Sequence, residues 1–139
     1  MKLTKRDLKI IGAALYSCEG TKLRRDKRKK NEIYYWVIEF TNSNPKLIKL
    51  FAAFLRKIIK IEENKLKGQL IIYSDIQKKK LEKFWSATSG IPLFNFNKTV
   101  VLSAKGSLYK PNPNGTFKVR YHSKEAFKRL DRILNSIFI

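Results

Sequence analysis

The chain has 139 residues and a mass of 16.3 kDa, the size of one domain over 1–139. Lys and Arg number 31 against 11 Asp and Glu, a formal charge of +20. Self-repulsion of that size argues against an ordinary metabolic enzyme and favours a polyanionic partner, nucleic acid before an acidic membrane. The 43% apolar content is enough for a core and excludes a disordered basic tail.

Thr4-Lys5-Arg6-Asp7 is a capping box, and Leu8, Ile11, Leu15 and Cys18 follow at helical spacing. The first helix is therefore expected over 5–19, with Gly20 as its C-terminal cap. Its middle is small: Gly12, Ala13, Ala14, then Ser17 and Cys18. Residues 21–30 are a basic run, and 31–41 are rich in aromatic and β-branched residues, as strands are. Tyr34, Trp36, Ile38 and Phe40 share one expected face, Ile33, Tyr35, Val37 and Glu39 the other. The segment 21–41 reads as a hairpin with a basic tip.

Asn44-Pro45 opens a second helix, whose apolar stripe is Leu47, Ile48, Phe51, Phe54, Leu55, Ile58 and Ile59. A short strand follows at 68–73, then a second capping box, Ser74 with Gln77, predicts a helix to about 88. Gly90 and Pro92 end it. Residues 99–105 read as a strand, and Asn114-Gly115 is a turn signal. In 116–122, Phe117, Val119 and Tyr121 alternate with Lys118, Arg120 and His122. Ser123 caps a last amphipathic helix bearing Phe127, Leu130, Ile133, Leu134, Ile137 and Phe138.

The lone Cys18 excludes an internal disulfide and a Cys-rich zinc site, and suggests a reducing compartment. The lone His122 excludes His-cluster metal sites. Asp7 and Lys9 interrupt the segment Met1 to Cys18, and its apolar run, Ile10 to Leu15, is short for a secretory leader. The most apolar segment, 47–61, carries Lys49, Arg56, Lys57 and Lys60, so no membrane span is expected. The expected location is intracellular, cytoplasmic or organellar.

Glu19 stands out. It occupies the last turn of the first helix, where the macrodipole favours cations, and it is the only acid between Asp7 and Asp26. A helix of small residues can approach a second helix closely. If that second helix is its own copy, two-fold symmetry brings two Glu19 carboxylates together, able to hold a divalent metal against a phosphodiester. The plain alternative is a solvated surface carboxylate.

The segment Ile11-Gly12-Ala13-Ala14-Leu15-Tyr16-Ser17-Cys18-Glu19-Gly20 resembles the signature helix of the LAGLIDADG homing endonucleases. Ser17 stands where the family often has Asp, and Ala13-Ala14 where it has Ala-Gly. Phe40 to Pro45 and Gly115 to Ser123 also sit where the family leads from strand into helix, while the helix expected at 75–88 is an insertion. The resemblance implies an α/β (α+β) fold of αββαββα order with an inserted helix and strand, and an antiparallel, saddle-shaped sheet with helices on one face. It further implies a homodimer meeting through Gly12, Ala13, Ala14, Tyr16 and Ser17, since the chain carries one motif. The implied activity is sequence-specific, Mg²⁺-dependent cleavage of a near-palindromic double-stranded DNA site. Glu19 and Gly20 would bind the metal, and Lys98 or Lys105 would assist hydrolysis.

Two basic groups are candidates for DNA contact: Lys22, Arg24, Arg25, Lys27, Arg28, Lys29 and Lys30 on the hairpin, and Lys118, Arg120 and His122 on one strand face. Such residues hold phosphates for affinity and read base edges for sequence. The plain reading is a solvated basic face. Rival functions are a non-cleaving DNA-binding regulator or RNA-splicing cofactor on the same fold, and an unrelated basic RNA-binding protein. Aromatics of 33–40 stacking on bases is a further alternative, although half of them must cover helices. Metal-dependent nicking separates the enzyme from the binders. Cys18, Trp36 and Trp85 read as packing residues.

Overall fold

Caps in the sequence set the helix boundaries. The computed structural model describes residues 2–21, 24–26, 33–73, 77–102 and 113–138, with 24–26 and 33–35 as backbone alone. Helix α1 spans Lys5–Glu19. Thr4 Oγ1 accepts from the Asp7 N–H at 3.1 Å, and Asp7 Oδ2 accepts from the Thr4 N–H at 2.9 Å. The Thr4 N–H and hydroxyl hold the Asp7 carboxyl below its ordinary range. Gly20 closes the helix, its N–H donating to Tyr16 O at 2.8 Å, with φ at −74°, an ordinary extended value. What glycine supplies there is room: a Cβ would overlap the Tyr16 ring.

After β1 (Arg24–Asp26), β2 (Ile33–Tyr35) and β3 (Val37–Asn42), helix α2 runs over Pro45–Phe54, with Asn44 Oδ1 accepting from the Lys46 N–H. The chain continues through one wide π-turn, Leu55–Ile59, which Lys60 ends in the left-handed region at φ 61°. A 3₁₀ turn (Glu63–Lys65) leads to β4 (Lys67–Ile72). Helix α3 begins later than the sequence suggests: it spans Lys78–Ser89, Gln77 caps it without a side-chain hydrogen bond, and Ser74 lies outside the described residues. Gly90, at φ 75°, ends it. Next come a 3₁₀ turn (Leu93–Asn95), β5 (Val100–Val101) and β6 (Thr116–His122). The last helix, α4 (Lys124–Ile137), is capped by Ser123.

Among the described residues this is a mixed α/β molecule with four α-helices and a four-stranded sheet in the order β3-β6-β4-β5. The β3–β6 and β6–β4 pairs are antiparallel, but β5 runs parallel to β4. The expectation of a wholly antiparallel sheet is thereby corrected, since α3 is a crossover that returns the chain in the same direction. β1 and β2 form a separate ribbon. Gly20 and Arg24 are four positions apart, their partners Phe40 and Tyr35 five. The register of the two pairings therefore differs by one residue across Trp36. Past it the alternation shifts: Val37 and Ile38 are both buried, and Trp36 meets Phe127 of α4 edge to face at 6.0 Å.

One core fills the side of the sheet that faces the helices. Ile38, Phe40, Leu70, Phe117, Val119 and Tyr121 meet Tyr16, Phe51, Phe54, Trp85 and Leu130 there. Phe40 stacks on Phe51 at 4.5 Å, and Trp85 on Phe117 at 5.1 Å, while the Trp85 indole N–H donates to Asn114 O at 2.7 Å. Each large apolar side chain fully buried there contributes roughly 1.5–3 kcal/mol.

Candidate nucleic-acid interface

Strand alternation sends the other half of the sheet residues to an open face. Cross-strand register arranges them in rows: Glu39, Arg120 and Lys67 in one, Thr41, Lys118 and Gln69 in the next. His122 lies opposite Val37 at the end of β6. Arg120 and His122 are exposed, whereas Lys118 is half-buried. The Glu39 carboxylate lies 3.4 Å from Arg120 Nε and 3.8 Å from Lys118 Nζ. Lys118, Arg120 and His122 thus share one face, as the alternation indicates, and Glu39 is the acid that orders two of them. Toward the start of β4 the face hollows into a basin lined by Asn64, Lys65, Lys67, Asn97, Arg120 and His122.

The end of α1 meets this sheet at one edge. Gly20 bridges to Phe40, and the Thr21 N–H donates to Glu39 O at 3.0 Å. Glu19 is exposed in a last turn that holds no basic residue. Asn42, at the end of β3, donates its Nδ2–H to the Glu19 carboxylate, while its Oδ1 accepts from the Asn44 N–H at 2.8 Å. Among the described residues, no three His, Cys, Asp or Glu side chains form a metal-sized group. An exposed, anchored carboxylate at the negative end of a helix suits Mg²⁺, which takes one or two carboxylates together with substrate phosphates.

The small residues of α1 divide between two faces of the helix. Gly12 and Ala13 are buried inside the chain, and a Cβ on Gly12 would overlap the Phe54 ring. Tyr16 is 1% exposed, stacks on Phe51 at 5.9 Å and donates its hydroxyl to Thr21 O. Burial pushes its phenol up to about 12. Close helix approach does occur at Gly12, but the helix it admits is the chain's own α2. Ala14 and Cys18 are exposed, as is Ile10 at 44%, and Ser17 is half-buried.

Lys98 does not stand beside Glu19 of the same chain. Phe96 bridges to Gly68, and the Lys98 carbonyl accepts from Gln69 Nε2 at 2.9 Å, so Lys98 flanks β4. With β3, β6 and β4 between, the two segments lie roughly 19 Å apart at the usual strand spacing. Lys22, Lys27, Arg28, Lys29, Lys30 and Lys105 lie outside the described residues, and Arg24 and Arg25 are placed as backbone of β1.

Sequence reasoning overlooked Glu39, Asn42, Lys67 and Gln69 as parts of this surface. Starting the strand at 67 instead of 68 would have put Lys67, Gln69 and Ile71 on one face by simple alternation. No family model, no curated protein and no solved structure matches the chain. Among the described residues, no helix is long and apolar enough to cross a membrane.

Proposed function

We propose that the chain is one subunit of a homodimeric, Mg²⁺-dependent, sequence-specific double-stranded DNA endonuclease of the LAGLIDADG type. The observation that carries this reading is the placement of Glu19: an anchored, exposed acid at the edge of a basic open sheet, in a chain of charge +20. In this reading the open face lies over the duplex as a saddle. Lys67 and Lys118 hold phosphates, and Arg120 and His122 reach base edges. The exposed side of α1, with Ile10, Ala14 and Cys18, meets its copy, so each subunit contributes one Glu19 near the two-fold axis. Glu19 and the Gly20 backbone would hold the Mg²⁺, whose chemistry when bound would be Lewis-acid stabilisation of the phosphate and a lowered pKa of the attacking water. Asn42 keeps the Glu19 carboxylate in one orientation.

The test is strand cleavage of a randomised duplex library with Mg²⁺, with Ca²⁺ supporting binding alone. Recovery of cut molecules that share a near-palindromic sequence is the expected result. A wild type that enriches a sequence but cuts nothing makes the chain a DNA-binding regulator or splicing cofactor instead. Enrichment of RNA alone would overturn both.

A further inference from the structure

The inserted segment adds to the open face. Between α3 and β5 the chain returns alongside β4: Phe96 bridges to Gly68, and the Asn97 N–H donates to Gly68 O at 2.7 Å. This parallel register sets Asn97 level with Gln69, and Asn97 and Lys67 line the same hollow. The 3₁₀ turn before β4 brings Asn64 and Lys65 to the end of the face where Arg120 and His122 lie. The two turns are tied together, since Asn95 donates its Nδ2–H to Glu63 O at 3.4 Å. The result is the basin lined by Asn64, Lys65, Lys67, Asn97, Arg120 and His122. Its chemistry is mixed. Two carboxamides, each donor and acceptor, stand beside one guanidinium, one imidazole and two ammonium groups.

We infer that this basin is a base-reading station for the outer part of each DNA half-site, with Asn64 and Asn97 as specificity-determining residues. The inference rests on the proposal that the open face binds duplex DNA, and it names positions on it that neither strand alternation nor the signature helix picks out. Ammonium and guanidinium groups neutralise phosphates, and a carboxamide beside them adds a paired donor and acceptor that a base edge can use. Carboxamides match the N6 and N7 edge of adenine, and a guanidinium matches O6 and N7 of guanine. Lys65 and Lys67 supply the phosphate contacts that hold the register. Asn64 and Asn97 are both exposed, so neither is needed for the core.

The experiment is selection of bound sequences from a randomised duplex library by wild type, Asn64→Ala, Asn97→Ala and Lys65→Ala. Lys79→Ala, a charge removed from an exposed site on α3, is the control. Each Asn variant is expected to lose roughly 10- to 100-fold of discrimination at one position in each half-site. Lys65→Ala should weaken all sequences alike and lower the salt slope by about 1. Thermal melting of each variant alongside wild type verifies folding. If wild type selects a sequence and both Asn variants select it with unchanged preference, the basin does not read bases, while the DNA-binding proposal stands. If wild type selects no duplex sequence, that proposal itself fails, and the basin reading goes with it.

Discussion

Asn42 holds the carboxylate of Glu19 from the end of β3, with its own amide orientation fixed by the Asn44 N–H at 2.8 Å. Because Oδ1 accepts from the backbone, Nδ2 is the atom turned to Glu19. The cap of α2 thereby sets the rotamer of an acid on α1. Glu19→Gln is expected to abolish Mg²⁺-dependent cleavage and leave DNA affinity near wild type. Stability should stay level or rise by about 0.3–1 kcal/mol, because a negative charge leaves the negative end of a helix. Cleavage and binding assays on the same preparations decide it. A Gln variant that cuts as well as wild type removes Glu19 from the chemistry.

Gly12 shows which face of α1 is internal. Alanine there would gain about 1 kcal/mol of helix propensity, but its Cβ falls on the Phe54 ring. Phe54 is fully buried among Phe51 and Leu55 and has nowhere to go. Gly12→Ala should therefore cost roughly 1–3 kcal/mol by overpacking, seen as a lower melting temperature. A higher one would mean that the helices separate freely.

Tyr16 gives a pH dependence of defined sign. Its phenol is raised from 10.0 to about 12, first by burial, so the folded state disfavours the phenolate. The stability linked to this group is complete below pH 10 and is lost as pH rises toward about 12. Tyr16→Phe removes that component and the hydroxyl's bond to Thr21 O. The variant should begin less stable near neutrality and lose less than wild type across that alkaline window. Melting temperatures of both proteins measured through the window check it; parallel curves would contradict it.

Much of the fold was legible in the sequence, because caps and alternation are local signals. The Thr4–Asp7 box and Ser123 place α1 and α4 as observed, and the alternation of β6 correctly separates Phe117, Val119 and Tyr121 from Lys118, Arg120 and His122. The one-residue difference in register across Trp36 escaped the reading because it shows itself only against the partner strand. The two faces of α1 escaped for a related reason. Gly12, Ala13 and Ala14 are equally small, and only the position of Phe54 reveals that Gly12 faces inward while Ala14 faces out. Pairing of Asn42 with Glu19, 23 residues apart, has no sequence signature at all.

That division of α1 yields a cleaner dimer test than its middle residues would. Ala13→Leu would disturb the core, since Ala13 is fully buried. Ala14→Arg acts at the exposed surface instead. In a two-fold contact it sets two guanidinium groups against each other without touching the fold. Wild type should sediment as a dimer and Ala14→Arg as a monomer, with thermal stability of the isolated subunit changed by no more than about 0.5 kcal/mol. Wild type that stays monomeric with and without DNA contradicts the dimer.

Glu39 separates affinity from selectivity on the open face. It holds Arg120 Nε at 3.4 Å and Lys118 Nζ at 3.8 Å. On the proposal that this face binds duplex DNA, a carboxylate in its middle repels the phosphate backbone, so Glu39→Gln should strengthen binding to duplexes of any sequence. The variant's salt dependence should steepen by about 0.9 in log–log slope for each further phosphate neutralised. At the same time Arg120 loses the partner that fixes its guanidinium, so preference at the base it reads should fall. Glu39 is 17% exposed against 46% for Arg120, so thermal melting of the variant beside wild type accompanies the titrations. Titrations of a selected site and a scrambled duplex over a range of salt, for wild type and Glu39→Gln, measure both effects together. Tighter binding to the scrambled duplex with a reduced ratio between the two is the expected outcome. Weaker binding to both would mean that Glu39 supports the surface as a whole and does not orient Arg120 on it.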